Sequence, residues 1–168
     1  MQMKRILTAT IALATLATAG FATAAVTGKG RSVETDSMIG VPLALTGSAG
    51  QIRGINGGGL EWSIGLSSAE VSASGKVEVS FQDLIFASGS NTGKNTLPSM
   101  RVVVSCLDAA GATVNVATDP FPVTTGTPLD PGGDGMIEAR VALPSACLAP
   151  IVFVTNAAAT AWFAVDGI

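Results

Sequence analysis

The chain has 168 residues, of which 48% are hydrophobic and 12% charged, and it contains no histidine and no tyrosine. Without imidazole it cannot form a Ser-His-Asp triad, a Cys-His nucleophile, a His-ligated zinc or copper site, or a histidine pH switch. A net charge of −3 without a cluster of Lys and Arg excludes the basic surface that nucleic-acid binding needs.

The first 24 residues have the three parts of a secretory signal peptide. Lys4 and Arg5 precede an uncharged apolar run that ends in the small residues Ala22-Thr23-Ala24. A membrane anchor is the alternative, but the run is rich in Ala and Thr rather than in Leu and Ile. We predict cleavage after Ala24. The secreted or cell-surface chain, residues 25–168, then keeps seven basic and 12 acidic residues, a net charge of −5, and no membrane span.

Residues 25–49 combine charges with Gly, Thr and Ser, and we expect a flexible N-terminus that includes one edge strand at 40–46. Pro42 confines this strand to an edge because proline cannot donate a hydrogen bond to a central ladder. The main domain, residues 50–168, should begin with a short strand at 51–56.

The clearest strand patterns lie between residues 60 and 82. Residues 60–66 alternate apolar with polar, which predicts a strand with four side chains on its inner face. These four residues are Leu60, Trp62, Ile64 and Leu66. From residue 76 to 82 the same alternation places Val77, Val79 and Phe81 inward. The pattern breaks at Asp83, which indicates a bulge or a strand that passes between sheets.

The remaining elements follow in chain order: a polar loop at 88–99, a hairpin of strands 101–107 and 113–117, a long connection at 119–135, a strand at 136–143, and a final hairpin of strands 151–155 and 161–166. Short strands at hairpin spacing with almost no helix predict an all-β fold, an antiparallel Greek-key β-sandwich of immunoglobulin-like architecture. Trp62 precedes both cysteines, so the Cys-Trp-Cys order of antibody domains is absent and the likeness concerns architecture alone.

Cys106 and Cys147 are the two cysteines of the chain, and in an exported protein we expect them to form one disulfide. Free thiols or metal ligands are the alternatives, although two cysteines without histidine make a poor metal site. Closing the loop between them would stabilise the fold by roughly 4 kcal/mol through chain entropy.

The connection at 119–135 carries Asp119, Asp130 and Asp134, which are calcium candidates because carboxylates are hard oxygen ligands. Their spacing matches no EF-hand, and the Pro-Gly and Asp-Gly pairs of this segment are ordinary turn formers. We expect turns here and no cofactor.

Residues 89–96 partly match a phosphate-binding loop. The glycines are one residue too close, and Asn95 occupies the position of the magnesium-binding Ser or Thr. No helix is expected to follow, so we predict a surface loop.

Five carboxylates could supply the pair that glycoside hydrolysis requires. They are Glu61, Glu70, Glu78, Asp83 and Glu138. The glutamates fall on the outward phase of predicted strands, where a charge keeps the surface hydrated. A glycoside hydrolase therefore remains an alternative, and we predict that the protein is not an enzyme.

Trp62, Trp162 and Phe163 could form an aromatic platform for a sugar or a peptide. Trp62 shares the inward phase of its predicted strand. Trp162 and Phe163 are adjacent and must point to opposite faces, so one of them should face outward unless both faces of the sheet are covered.

Five segments between residues 50 and 168 form a set: Ile52-Arg53-Gly54 with 57–62, then 102–107, Pro120-Phe121-Pro122, 146–154 and 161–165. Together they resemble a group of small exported bacterial proteins of unknown function, and the segments around the two cysteines are the most specific. The resemblance implies a bacterial origin and a secreted β domain. It carries over no catalytic or ligand residue.

The low-charge composition rich in Ala, Thr, Gly and Val is also similar to that of pilus subunits, which assemble by strand addition. Those subunits place their first cysteine early, whereas both cysteines here are late. We expect a non-enzymatic protein that binds an extracellular protein or glycan, with a self-assembling structural subunit as the alternative.

Overall fold

The computed structural model describes residues 33–127 and 129–166. The predicted leader, residues 1–24, lies outside the described residues, as do residues 25–32. Within the described ranges the secondary structure is strand apart from two short 3-10 turns, Leu43–Leu45 and Gly47–Gly50, which confirms the all-β prediction. No helix in this part of the chain is long and apolar enough to cross a bilayer.

The described residues form 13 strands in chain order. They are β1 (Val33–Thr35), β2 (Ile39–Gly40), β3 (Asn56–Gly57), β4 (Trp62–Ser63), β5 (Ser67–Val71), β6 (Lys76–Phe81), β7 (Ile85–Phe86), β8 (Ser99–Leu107), β9 (Thr113–Ala117), β10 (Phe121–Pro122), β11 (Gly135–Arg140), β12 (Leu148–Asn156) and β13 (Ala161–Val165).

These strands form three sheets. Sheet A has four antiparallel strands in the order β1-β5-β6-β11. Sheet B has seven strands in the order β10-β8-β12-β13-β2, with β9 also on β8 and β3 also on β13. Sheet C is the pair β4-β7. Side chains from all three sheets contribute to one hydrophobic core.

Strand β6 confirms the alternation that the sequence predicts. Val77, Val79 and Phe81 are buried, while Glu78 and Ser80 between them are half-buried on the outer face. One face of sheet A therefore packs into the core and the other meets solvent, as expected for an antiparallel sheet.

The central strands of sheet B are buried on both faces. Residues 102–106 of β8, 152–155 of β12 and 162–165 of β13 are buried without interruption. Because neighbouring residues of a strand point to opposite faces, an unbroken buried run requires a cover on each face.

Residues 41–58 supply one of these covers. The Trp162 Nε1 atom donates a hydrogen bond to the Gly50 carbonyl at 2.8 Å. Strand β3 pairs in parallel with the start of β13, and Val41 and Ile55 are buried in the core. The N-terminal part of the domain therefore packs against sheet B.

The strand predicted at 60–66 is wrong beyond Trp62 and Ser63. The chain leaves sheet C after β4 and enters sheet A at β5, and at the crossing the Gly65 N–H donates to the Gln82 carbonyl at 2.9 Å. This change of sheet breaks the alternation, so Leu60 and Leu66 are exposed whereas Trp62 remains buried.

The N-terminal expectations also need correction. In the part of the expected flexible segment that the structure describes, residues 33–49, β1 pairs with β5 and β2 pairs with β13. The edge strand expected at 40–46 ends at Gly40, because the Pro42 carbonyl accepts a hydrogen bond from the Leu45 N–H at 2.9 Å and closes a turn.

Two further expectations change in detail. The strand expected at 51–56 is replaced by a tight turn at 52–55, with Ile52 bridged to Ile55 and with Arg53 and Gly54 at φ of 49° and 84°, and β3 begins only at Asn56. The connection at 119–135 contains β10, because Phe121 pairs with Met100.

The predicted disulfide is confirmed: Cys106 on β8 is bonded to Cys147, with the two Cα atoms 4.8 Å apart. The same region carries a second restraint. The Arg53 guanidinium donates to the carbonyls of Ser105 at 2.9 Å and Ala149 at 2.6 Å. Ala149 lies where the pairing of β12 with β8 shifts register, so Arg53 holds this irregular stretch in place.

Replacing Cys106 and Cys147 together by alanine should lower the free energy of unfolding by about 4 kcal/mol, because the unfolded chain then regains loop entropy. Urea titration of the wild type and the variant would measure this loss. The wild type unfolded under reducing conditions is the control and should show nearly the same loss. A variant as stable as the oxidised protein would contradict the role of the bond.

Asp166 follows β13 and is buried. Burial raises the pKa of its carboxyl, and the hydrogen bond donated by the Val152 N–H lowers that pKa only in part. The Asp166 N–H in turn donates to the Val152 carbonyl at 3.0 Å. The residue thus ties the end of β13 to β12, while its negative charge is unfavourable in the folded state.

The raised pKa predicts a pH dependence. Above the folded pKa the buried charge reduces stability. As the pH falls through that pKa, the Asp166 carboxyl of the folded state is protonated before that of the unfolded state, and the free energy of unfolding rises. The gain ends when the carboxyl of the unfolded chain is also protonated, at about pH 3.9. The stability of the wild type relative to Asp166→Asn should therefore rise on acidification from neutral pH. Urea titrations of both proteins at several pH values would show this, and a constant difference would contradict it.

Candidate functional site

The three side chains considered for an aromatic platform are all buried, as the inward phase of Trp62 predicts for that residue. Trp62 lies with its ring centroid 4.3 Å from that of Phe163 and 4.0 Å from that of Phe86. Trp162 and Phe163 are both buried, although they point to opposite faces of β13. Residues 41–58 and sheet C cover the two faces, so neither ring is available to a ligand.

The loop at 89–96 is held by Asn95, which is fully buried. Its side-chain amide donates to the carbonyls of Leu97 and Thr124, at 2.8 Å each, and its side-chain oxygen accepts from the Leu97 N–H at 2.9 Å. All of these partners belong to the protein backbone. Asn95 therefore anchors the loop to the segment after β10 rather than facing a phosphate.

The three calcium candidates do not form a ligand group: the described residues contain no cluster of three or more His, Cys, Asp or Glu placed to hold a metal ion. The Asp130 carboxylate accepts from the Gly132 N–H at 2.8 Å, and that of Asp134 accepts from the Asp83 N–H at 3.1 Å. The first contact closes a local turn, and the second joins the residue before β11 to the residue two positions after β6. Asp119 is exposed after β9.

An open groove of about 780 Å³ lies at one end of sheet A, where β5 begins and β6 ends. Its lining includes Leu66, Phe81, Val123 and Met136, with the carboxylates of Asp36 and Asp134. We call it the Leu66–Met136 groove. Leu66 and Met136 are 77% and 78% exposed, so two large apolar side chains stand in solvent beside the groove.

The local structure explains both exposed side chains. Leu66 precedes β5, whose inward positions start at the buried Ser67. Met136 occupies an outward position of β11. Between them the Oγ atoms of Ser68 and Ser80 lie 2.9 Å apart on the outer face. The groove therefore has an apolar wall, a pair of hydroxyl groups and acidic side chains.

A row of glutamates continues this surface across sheet A. Glu34 lies opposite Glu70, Glu70 opposite Glu78, and Glu78 opposite Glu138 on successive strands. A second groove of about 380 Å³ follows the row and shares Met136 with the first. We call these four residues the glutamate row.

Like charges placed directly opposite on neighbouring strands destabilise a sheet. Lys76 offsets part of this repulsion, with its Nζ atom 2.9 Å from Glu78 Oε1 and 3.3 Å from Glu138 Oε1. These contacts, chiefly the one with Glu78, raise the pKa of the exposed Lys76 ammonium group. The row remains acidic, because Lys76 pairs with two of its four carboxylates.

The glutamate row brings together three of the five carboxylates considered for glycoside hydrolysis, namely Glu70, Glu78 and Glu138. Glu61 lies beside sheet C, and Asp83 follows β6 at a φ of 53°. The three neighbours lie along an open sheet face beside a shallow groove. The exposure of Met136 could be predicted from the sequence, because the residue has the outward phase of its strand. The exposure of Leu66 was not predicted, although Gly65 indicates that the strand could end there.

The chain matches no protein-family model, no curated protein and no solved structure.

Replacing Asn95 by alanine should lower the free energy of unfolding by about 2 to 3 kcal/mol, because two carbonyls and one N–H lose their partner in a buried site. Thermal or urea unfolding would measure the change. Asn91→Ala is the matched control at a half-buried position of the same loop and should cost much less. Equal losses from the two substitutions would contradict the anchoring role of Asn95.

Proposed function

We propose that this is an exported, non-enzymatic protein with the architecture of an immunoglobulin-like Greek-key sandwich, and that it acts by binding a protein through the outer face of sheet A. The leader-like N-terminus and the disulfide support export, because such bonds persist in oxidising compartments. The resemblance to small exported bacterial proteins agrees with this placement. The core shared by sheets A and B supports the architecture.

The observation that carries the binding proposal is the exposure of Leu66 and Met136 at the rim of the Leu66–Met136 groove. Single exposed apolar residues are ordinary, whereas apolar side chains grouped around a concave surface are typical of interaction sites. A groove of about 780 Å³ accommodates one or two side chains of a partner.

The charges around the groove indicate which partner fits. Asp36 and Asp134 line the groove, and the glutamate row extends from it across the sheet. Complementary charge guides association and excludes partners of the wrong sign. The partner should therefore present an apolar side chain next to Lys or Arg residues, which favours a protein segment over a neutral glycan.

The mature protein, immobilised, should capture a partner from the culture supernatant and cell surface of the source organism. Leu66→Asp combined with Met136→Asp should weaken that binding by about tenfold or more, because each change removes apolar contact and adds like charge. The matched control is Leu129→Asp. Leu129 is 98% exposed and lies outside the lining of the groove.

Titration of the captured partner against the three proteins decides the outcome. The proposal expects wild-type affinity for the Leu129 variant, loss for the double variant, and weaker binding as salt is raised. If the double variant bound the partner as tightly as the wild type does, the binding surface would lie elsewhere. Hydrolysis of a polysaccharide by the wild type would instead favour the carboxylate enzyme.

A further inference from the structure

Strand β11 is an edge strand of sheet A with free backbone groups on its outer side. The Val141 N–H donates to the Gly75 carbonyl in the β6 direction at 2.8 Å, whereas the Asp134 carbonyl accepts from Thr124 on the outer side at 2.9 Å. Backbone groups alternate in direction along a strand. The N–H and C=O groups of Glu138 and Arg140 therefore point outward.

No other strand of the described residues pairs with this outer edge beyond the bridge of Gly135 to Val123. An open groove of about 500 Å³ runs beside it, between residues 137–142 and 116–120. Ile137 and Ala139, on the inner face of β11, are only half-buried. Their partners on β6, Val79 and Val77, are buried. The core is therefore incomplete along this edge.

Proteins usually block exposed edges with proline, bulges or inward-pointing charges. Strand β11 has none of these features, since its six residues pair regularly with β6 and contain no proline. Its two charged residues, Glu138 and Arg140, have opposite signs and lie two positions apart. They therefore share the outer face of the strand.

We propose that a second copy of this chain pairs with β11 antiparallel, about a two-fold axis at Ala139. Each Glu138 then lies opposite Arg140 of the partner subunit, in a hydrogen-bonded pair built from the outward backbone groups. On the inner face Ile137 lies opposite Val141 of the partner subunit. Two sheets A of four strands become one continuous sheet, and the half-buried inner residues gain cover.

Charge selects this register over its neighbours. A shift by two residues in one direction places Glu138 opposite its own copy, and a shift in the other direction places Arg140 opposite its own copy. Both arrangements oppose like charges, which destabilises a strand pair. A shift by one residue exchanges the inner and outer faces. The symmetric register at Ala139 is the arrangement that forms two pairs of opposite charge.

The present contacts of the two side chains do not prevent this pairing. Arg140 donates to the Ser74 carbonyl at 3.1 Å, and Glu138 lies 3.3 Å from Lys76. Both residues are exposed, so the ion pair of Glu138 contributes little stability that dimerisation would have to replace, and the Arg140 hydrogen bond lies at the surface.

Sedimentation velocity of the purified mature protein over a concentration series tests the dimer without any external partner. Glu138→Arg and Arg140→Glu should each raise the dissociation constant by about tenfold or more, because each opposes like charges twice in the symmetric pair. The double variant should restore dimerisation. Glu70→Arg is the control, since it makes the same charge change on the same face but on the interior strand β5.

An equimolar mixture of the two single variants is the sharpest test. One subunit then carries Arg at 138 and 140 and the other carries Glu at both, so both pairs are again of opposite charge and a heterodimer should form. Far-ultraviolet circular dichroism verifies that each variant is folded. A wild type that stays monomeric at every concentration overturns the proposal. The proposal is also overturned if the single variants dimerise with the wild-type dissociation constant, or if their mixture remains monomeric.

Discussion

Burial of the central strands of sheet B on both faces is the constraint on which the rest of the structure depends. Strands β8, β12 and β13 carry unbroken buried runs, so each face needs its own cover. Sheet A and sheet C supply cover on one side, and residues 41–58 supply it on the other. Arg53, the disulfide and Asp166 then fix the irregular ends of these strands.

This constraint explains which parts of the sequence were informative. Alternation located β6 and the hairpins at β8-β9 and β12-β13, because those segments stay within one sheet. Alternation failed at 60–66, where the chain changes sheets at Gly65. For Trp162 and Phe163 it left open whether both faces of the strand are covered, although the continuous apolar run from 162 to 165 is the pattern of a strand buried on both faces. The groove depends on chain crossings that local patterns do not encode.

Because sheet B is enclosed, the outer face of sheet A is the sheet surface whose side chains are in contact with solvent. That face carries the Leu66–Met136 groove, the glutamate row and the free edge of β11. Like charges lie opposite one another along the row, and Lys76 pairs with two of the four glutamates. This is the face that we propose as the contact surface. Pairing at β11 would double this surface without altering sheet B.

The position of β13 has a consequence for biosynthesis. It is the last strand of the described chain, yet β2 and β3, near the start of the domain, both pair with it. Strands β2 and β3 thus lack their pairing partner until β13 has been synthesised. Such non-local pairing slows folding. Removal of β13 would therefore release β2 and β3 from sheet B as well, although both lie more than 100 residues earlier in the chain.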